Sequence, residues 1–463
     1  MQPIAASDRS KAMIVAGFGL IACLGMACIA AWKPRLLVYL LWPVIMVYPH
    51  RLTYGMLPLN AGFDDLLILC TAVAWFIFGK PNRIGFAGTL LLVFLVIYGC
   101  GELTGLLSSG GEMLDSTVRN MLKMTVKVVF GLTVVSAISQ PEHAKWMFFF
   151  YAAALTTAAV LAMADWAKLP FADWFYVVKS EEQQLLRYRA TGPFLGPGSA
   201  GTNLALATIM VGYLVVHRFK ISTRVVAFSA CVVLFGTMIA AGSRSAFVGL
   251  VVVAMGILIF SRHRIAVAAC MSLAVATFAT LPSYRSAVED MVSRTEAQAS
   301  AEEGALHGTG RLDNIGNSIR WSGGIATLFF GVGETQFAAR GAYAHNGFIS
   351  FLLCFGLCGF TWLVIWCFRL WKDSRLLLRI DTSSFATAIA TATPWWLVCS
   401  IVSNMTFDCT LNVFWQYQLI WLGAIVQQLA KIAEATWQDQ PSTSFPIQTY
   451  SNSQQVSCAF SSL

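Results

Sequence analysis

Apolar runs of membrane-crossing length recur along the chain, separated by short polar connections. A helix needs about 20 such residues to cross the hydrocarbon core of a bilayer. The runs at 12–32, 36–48, 64–79, 87–107, 119–138, 146–165, 200–216, 224–241, 245–260, 265–281, 346–367, 383–402 and 411–430 predict about twelve or thirteen spans. The run at 36–48 is short and contains Pro43, so it is expected to tilt, break or re-enter. The run at 12–32 follows Arg9 and Lys11 and is too long for a signal-peptide core; a retained helix is expected there. Two polar stretches, 166–199 and 282–344, are longer than simple connections and read as functional loops. Beyond 430 the chain turns to Ser, Gln, Thr and Asn, which predicts a disordered tail over 431–463.

Composition narrows the class. Hydrophobic residues make up 57% of the 463 and charged residues only 12%, against about 25% charged in a soluble domain. Too little polar surface is left to coat a water-soluble globule. The net charge of +8 is not a nucleic-acid-binding face, because the cations fall in short clusters between apolar runs. His217, Arg218, Lys220 and Arg224 form one cluster, Arg262, His263 and Arg264 a second, and Arg369, Lys372, Arg375 and Arg379 a third. Lys80 and Arg83 form a weaker fourth. Such clusters stay in the cytoplasm, and from Lys80 onward they alternate consistently with the spans. Arg9/Lys11 and Lys33/Arg35 cannot both be inside across one span, so the first hairpin stays open. The expected fold is an all-α polytopic membrane protein, a bundle of about twelve transmembrane helices with a long periplasmic loop domain. Its parts are a bundle over 1–281 with a short periplasmic loop near 166–199, a large periplasmic loop over 282–344, C-terminal helices over 345–430, and the tail in the cytoplasm. Most of the twelve cysteines lie inside apolar runs, where they behave as small hydrophobes rather than a disulfide framework. There is no zinc spacing, P-loop or dinucleotide fingerprint.

Four polar features interrupt this pattern on the expected periplasmic side. Arg187-Tyr188-Arg189-Ala190-Thr191-Gly192-Pro193-Phe194 is punctuated by Gly and Pro and leads straight into a span. Guanidinium groups there can grip phosphate bidentately, or can simply snorkel to the interface. Gly242-Ser243-Arg244-Ser245 forms a very short connection that holds an arginine on the side arginine disfavours, which calls for an anion nearby, a headgroup phosphate being the plain alternative. Gly308-Thr309-Gly310-Arg311 opens a stretch that ends in Phe329-Phe330-Gly331-Val332-Gly333-Glu334, and the apolar segment 325–332 is expected to pack the loop on the bundle. Ala344-His345-Asn346-Gly347 places an imidazole at the start of a span, where it can pass a proton or serve only as a hydrogen-bonding residue. Arg119, Lys123 and Lys127 lie four apart on one helix face. They suit either a track for anions or snorkelling and ion pairing.

Taken in order, the arginine turn, the Gly-Ser-Arg connection, Gly-x-Gly-Arg, Phe-Gly-x-Gly and His-Asn resemble the O-antigen ligase and O-antigen polymerase superfamily over roughly 187–360. The resemblance implies a membrane glycosyltransferase of the bacterial inner membrane, working at the periplasmic face without metal or other cofactor. Its implied donor is an undecaprenyl-pyrophosphate-linked glycan, and its acceptor a glycan or lipid. Arg189, Arg244 and Arg311, with Arg187 beside them, look like the arginines that hold the donor pyrophosphate. His345 resembles the histidine that activates the acceptor hydroxyl or otherwise assists transfer, and the resemblance implies Arg244 and His345 as catalytic residues. Two positions depart from the family pattern. Gly198-Ser199-Ala200 stands where Pro-Asn is frequent, and Ile315 where a tryptophan often follows the loop arginine. Two rivals remain: a transporter or flippase of a lipid-linked anionic substrate, and a non-catalytic membrane scaffold.

Overall fold

A computed structural model describes residues 32–47, 63–175, 189–194, 196–217, 219–261, 325–339, 346–380, 383–406 and 412–438, with isolated positions at 25–29 and 264–293. Among these residues the structure is helical, with no strand. Seven helices are long and apolar enough to cross a membrane, and two apolar stretches, Pro34–Val47 and Arg244–Phe260, are shorter. Most of the expected span at 12–32, the loop segments 176–188 and 294–324 and the tail beyond 438 lie outside the described residues, as does most of the run at 265–281.

The first described elements are α1, Pro34–Tyr39, and α2, Leu41–Val47, separated at Leu40. Pro34 is tolerated at the start of α1 because the N–H it lacks has no partner in the first turn anyway. The run with Pro43 is therefore broken, one of the outcomes its sequence allows. Then come α3, Phe63–Phe78, with Asp64 and Asp65 in its first turn; α4, Gly85–Ser108; α5, Leu114–Ala137; and α6, Pro141–Trp166. Acids at a helix start complement its partial positive charge. A short 3-10 turn, Pro170–Phe175, follows α6. Next are α7, Pro197–Val216; α8, Ile221–Ala241; and α9, Arg244–Phe260. Two short helices, α10, Ile325–Phe330, and α11, Gly333–Ala339, precede α12, Gly347–Ile380. The chain closes with α13, Ser384–Thr406, and α14, Val413–Gln438.

α14 is the axis of the bundle. Every residue from Phe414 to Ala430 is buried, including Gln416, Gln418, Gln427 and Gln428. Burial on every side leaves this helix no lipid face, so it is enclosed by protein. α4, α5, α6, α7, α12 and α13 pack around it. Aromatic side chains fill the space: Trp421 stacks on Tyr151 at 4.1 Å, and Phe130 meets Tyr417 edge-on at 5.0 Å. Such pairs add about 0.5–1.5 kcal/mol beyond their burial. The Trp366 indole donates to the Leu419 carbonyl at 3.3 Å. It lies so close to Gly423 that a Cβ there would sit 2.3 Å from the ring. Small residues at such crossings let helices approach where lipid gives no hydrophobic push.

The outer helices read the opposite way. α4 exposes Leu92, Val93, Val96, Leu103 and Leu107, and α9 exposes Val248, Val251, Val252, Met255 and Ile259. This apolar surface is what a bilayer covers. α12 is interrupted at Gly356, whose φ of 62° and ψ of −167° break the helix.

Candidate functional site

The predicted arginine turn is built as a tight loop fastened at several points. The Ala190 amide donates to the Ala240 carbonyl at 3.1 Å, tying the loop to the end of α8. The Thr191 hydroxyl donates to an Asp165 carboxylate oxygen at 3.2 Å, tying it to the end of α6. Gly192, with φ +50°, lies against α6 so closely that a Cβ would sit 2.6 Å from the Ala162 Cα. The Phe194 ring meets Phe414 edge-on at 5.6 Å, at the start of α14. Arg189 is half-buried on this loop.

Gly242 ends α8 in the left-handed conformation, φ 61° and ψ 34°, and its amide bonds Ile239 at 2.8 Å. Glycine adopts this turn without steric cost. Ser243 is extended, and Arg244 then opens α9, half-buried. A Cβ on Gly201 of α7 would sit 2.2 Å from the Ser243 Cβ, so α7 presses directly on this connection. Ala190 pairs with Ala240, and Arg244 begins the next helix after a two-residue turn. The structure thus brings the loop of Arg189 and the start of Arg244 to the same rim.

Two further helix starts complete that rim. Asn346 accepts from the Phe348 and Ile349 amides at 3.1 and 3.2 Å, opening α12, and donates to the Met405 carbonyl at 3.3 Å. Asn412 opens α14 in the same way, accepting from Phe414 and Trp415 at 3.0 and 3.2 Å. Ser403 of α13 donates to the Ser245 carbonyl at 3.4 Å, which links the end of α13 to the start of α9. The starts of α7, α9, α12 and α14 therefore share one end of the bundle. Each carries roughly half a positive charge, which favours an anion. Tyr284 adds an aromatic edge there, 5.4 Å from Trp166. Burial pushes its phenol above the ordinary tyrosine range.

Beneath the rim lies a buried amide network that sequence reasoning missed. Gln418 donates to the Asn203 side-chain oxygen at 2.9 Å, Asn203 donates to Asn412 at 3.3 Å, and the Tyr151 hydroxyl donates to Gln418 at 3.1 Å. The glutamines inside the last apolar run were its signal, since a polar group in a span needs a partner. On α5, Arg119 and Lys123 are half-buried and Lys127 is buried. The Lys127 ammonium donates to the Gln416 side-chain oxygen at 2.6 Å. Burial on the cationic face expected on this helix thus rises from Arg119 and Lys123 to Lys127, whose ammonium is held by protein.

A second polar cluster was also missed. Glu102, 1% exposed on α4, accepts from the Glu334 and Thr335 amides at 2.8 and 3.2 Å. Tyr98 donates to Glu334 at 3.0 Å, and Asn120 to Thr335 at 2.9 Å. A carboxylate within the apolar run 87–107 was the signal that went unused. The segment expected to pack the loop on the bundle does so, but mainly through backbone. Ile325, Leu328 and Phe329 are exposed, whereas Gly331 and Gly333 are buried against α12 and α4.

Arg187, Arg311 and His345 lie outside the described residues. A scan against protein-family models found no match, and a search of curated proteins found no similar sequence. The class follows from the helices: the chain is an all-α membrane protein.

Proposed function

We propose that this protein is a glycosyltransferase of the O-antigen ligase or polymerase type. It transfers or polymerises an undecaprenyl-pyrophosphate-linked glycan at the periplasmic face of the bacterial inner membrane, in surface polysaccharide or exopolysaccharide biosynthesis. The observation that carries this reading is the 3.1 Å bond from Ala190 to Ala240, which seats the Arg189 loop beside the turn leading into Arg244. Two guanidinium-bearing segments and four helix starts then converge at one rim, a setting suited to an anion, and in this reading they hold the donor diphosphate. In the proposed reaction the acceptor hydroxyl oxygen bonds to the anomeric carbon as the bond from that carbon to the diphosphate oxygen breaks. His345 takes the hydroxyl proton, and the lipid diphosphate leaves with its added charge offset by Arg189, Arg244 and Arg311. Preorganised cations of this kind are worth about 10²–10³ in rate.

Transport of a lipid-linked anion is the second reading. One observation favours it: the break between α10 and α11 beside a buried carboxylate, together with the break in α12, is the kind of irregular backbone that transporters place within the bundle. Cells carrying Arg244→Ala or His345→Ala at normal protein levels separate the two. Transfer predicts loss of surface glycan with precursor accumulating on the periplasmic leaflet. Precursor trapped on the cytoplasmic leaflet favours transport, and wild-type glycan from both variants contradicts the transferase assignment.

A further inference from the structure

The cations of α5 lie on the side of that helix that faces α14. The two helices run side by side in one direction and one register: Lys127 bonds Gln416, Phe130 meets Tyr417, and a Cβ on Gly131 would sit 2.6 Å from the Ile420 side chain. Lys123 precedes Lys127 by four residues and Phe130 by seven, the spacing that keeps side chains on one helix face. The shared register sets Lys123 level with Asn412, the residue that opens α14, and Arg119 one turn beyond it. The arginine turns stand on the other side of the same helix start. Phe414 meets Phe194 and Gln418 bonds Asn203, whereas Gln416 and Ile420 face α5; positions two apart point to opposite sides of a helix. About 10–12 Å, the diameter of a helix with its side chains, therefore separates the two cationic regions.

Among the described residues neither Arg119 nor Lys123 has an acid at ion-pairing distance, and their one hydrogen bond runs from Arg119 to the Ser116 hydroxyl at 3.4 Å. The acids nearby are engaged elsewhere. Glu102 holds two amides of α11, Glu334 accepts from Tyr98, and the charges of Glu334 and Asp65 act on Lys127, one turn below Lys123. Both cations are half-buried on the side turned to α14, which is not where a side chain snorkelling along lipid would lie. Half-buried cations without a counter-charge, beside a helix start that is itself partly positive, suit an anion. A transferase must hold two substrates, and the donor diphosphate takes the side of Arg189 and Arg244. We infer that Arg119 and Lys123 form a second anion subsite, which binds a phosphate or diphosphate group carried by the acceptor. This rests on the transferase reading, which supplies the need for an acceptor.

The test measures transfer by the full-length protein in liposomes, from one lipid-diphosphate-linked donor to three acceptors. These are a phosphorylated glycan, the same glycan with its phosphate removed, and a second lipid-diphosphate-linked glycan. The wild type should prefer one of the two phosphate-bearing acceptors to the neutral one, and which it prefers tells a glycan phosphate from a lipid diphosphate. A hydrogen bond to a charged group is worth about ten- to a hundredfold. Lys123→Met should therefore reduce that preference by this factor, through acceptor KM, with donor KM little changed. Lys123→Arg should keep most of it, and Arg119→Gln should lose less than Lys123→Met. If Lys123→Met does not fold, Arg119→Gln carries the test. No preference in the wild type, or one that survives both substitutions, would overturn the subsite. A rise in donor KM in place of acceptor KM would overturn it too, by giving the cations to the donor. Asp408 comes shortly before α14 in the sequence and is the rival partner within the chain. Non-additive unfolding midpoints for Lys123→Met and Asp408→Asn would show an ion pair there and overturn the subsite as well. A wild type that transfers nothing defeats the transferase reading. Calorimetric binding of the phosphorylated glycan then tests the anion site separately: weaker binding in Lys123→Met supports it, and equal binding overturns it.

Discussion

Two polar regions near one end of the same bundle use charge in opposite ways. At the starts of α7 and α9, Arg189 and Arg244 stay half-buried, carried on turns that are fastened by backbone bonds and by the Thr191 hydroxyl on the Asp165 carboxylate. Between α4 and α11, Glu102 is buried and one of its oxygens is consumed by two backbone amides. The first arrangement holds cationic segments at a rim made of helix starts. The second converts an anion into a fastener. A charged side chain in a membrane protein is therefore not diagnostic by its presence alone; its burial and the element that carries it have to be read with it.

The largest contrast should come from removing one charge of each kind. Arg244→Ala is expected to lower transfer by about a hundredfold or more, with the unfolding midpoint in detergent nearly unchanged. Arg244→Lys keeps the charge but loses the bidentate fork, so an intermediate loss is expected in the same assay. A midpoint that collapses in Arg244→Ala would move the arginine to the structural side of the comparison. Next in size is Gly331→Ala, where strained backbone meets the Cys354 carbonyl 2.2 Å from the added Cβ. A loss of about 1–3 kcal/mol from strain alone, and more from the clash, should appear in thermal unfolding. Gly110→Ala is its control: φ is +65° but nothing lies within 4 Å, so a loss of about 1 kcal/mol is expected. Equal midpoints for the two would mean that the clamp around the break is loose. Smaller still is Tyr151→Phe, which removes one bond to Gln418 and should cost about 1 kcal/mol without altering donor affinity. A fall in donor affinity would bring the amide network into the binding site.

Much of the bundle was legible because membrane helices announce themselves by length and apolarity. The runs at 87–107, 146–165 and 200–216 correspond to α4, α6 and α7, extended by a few residues at their ends. The turn at Gly242 was readable from Gly-Ser-Arg between two apolar runs, and the broken first element from Pro43. The central place of α14 was not, since hydropathy reports that a helix can be buried but not whether lipid or protein buries it. Its glutamines mark the difference only once their partners on α5, α6 and α7 are known. Glu102 was illegible for a related reason. Its partners are backbone amides more than two hundred positions away in sequence, and a backbone donor leaves no trace in residue identity. The arginine turns, by contrast, carry their chemistry in residue type and near neighbours.

The most direct measurement is release of polyprenyl diphosphate by purified protein in liposomes, given a defined lipid-diphosphate-linked glycan and an acceptor. Wild-type protein should release one lipid diphosphate for each glycosidic bond formed, and Arg244→Ala should release almost none. Release that is absent from the wild type, or undiminished in Arg244→Ala, would contradict the role assigned to the rim.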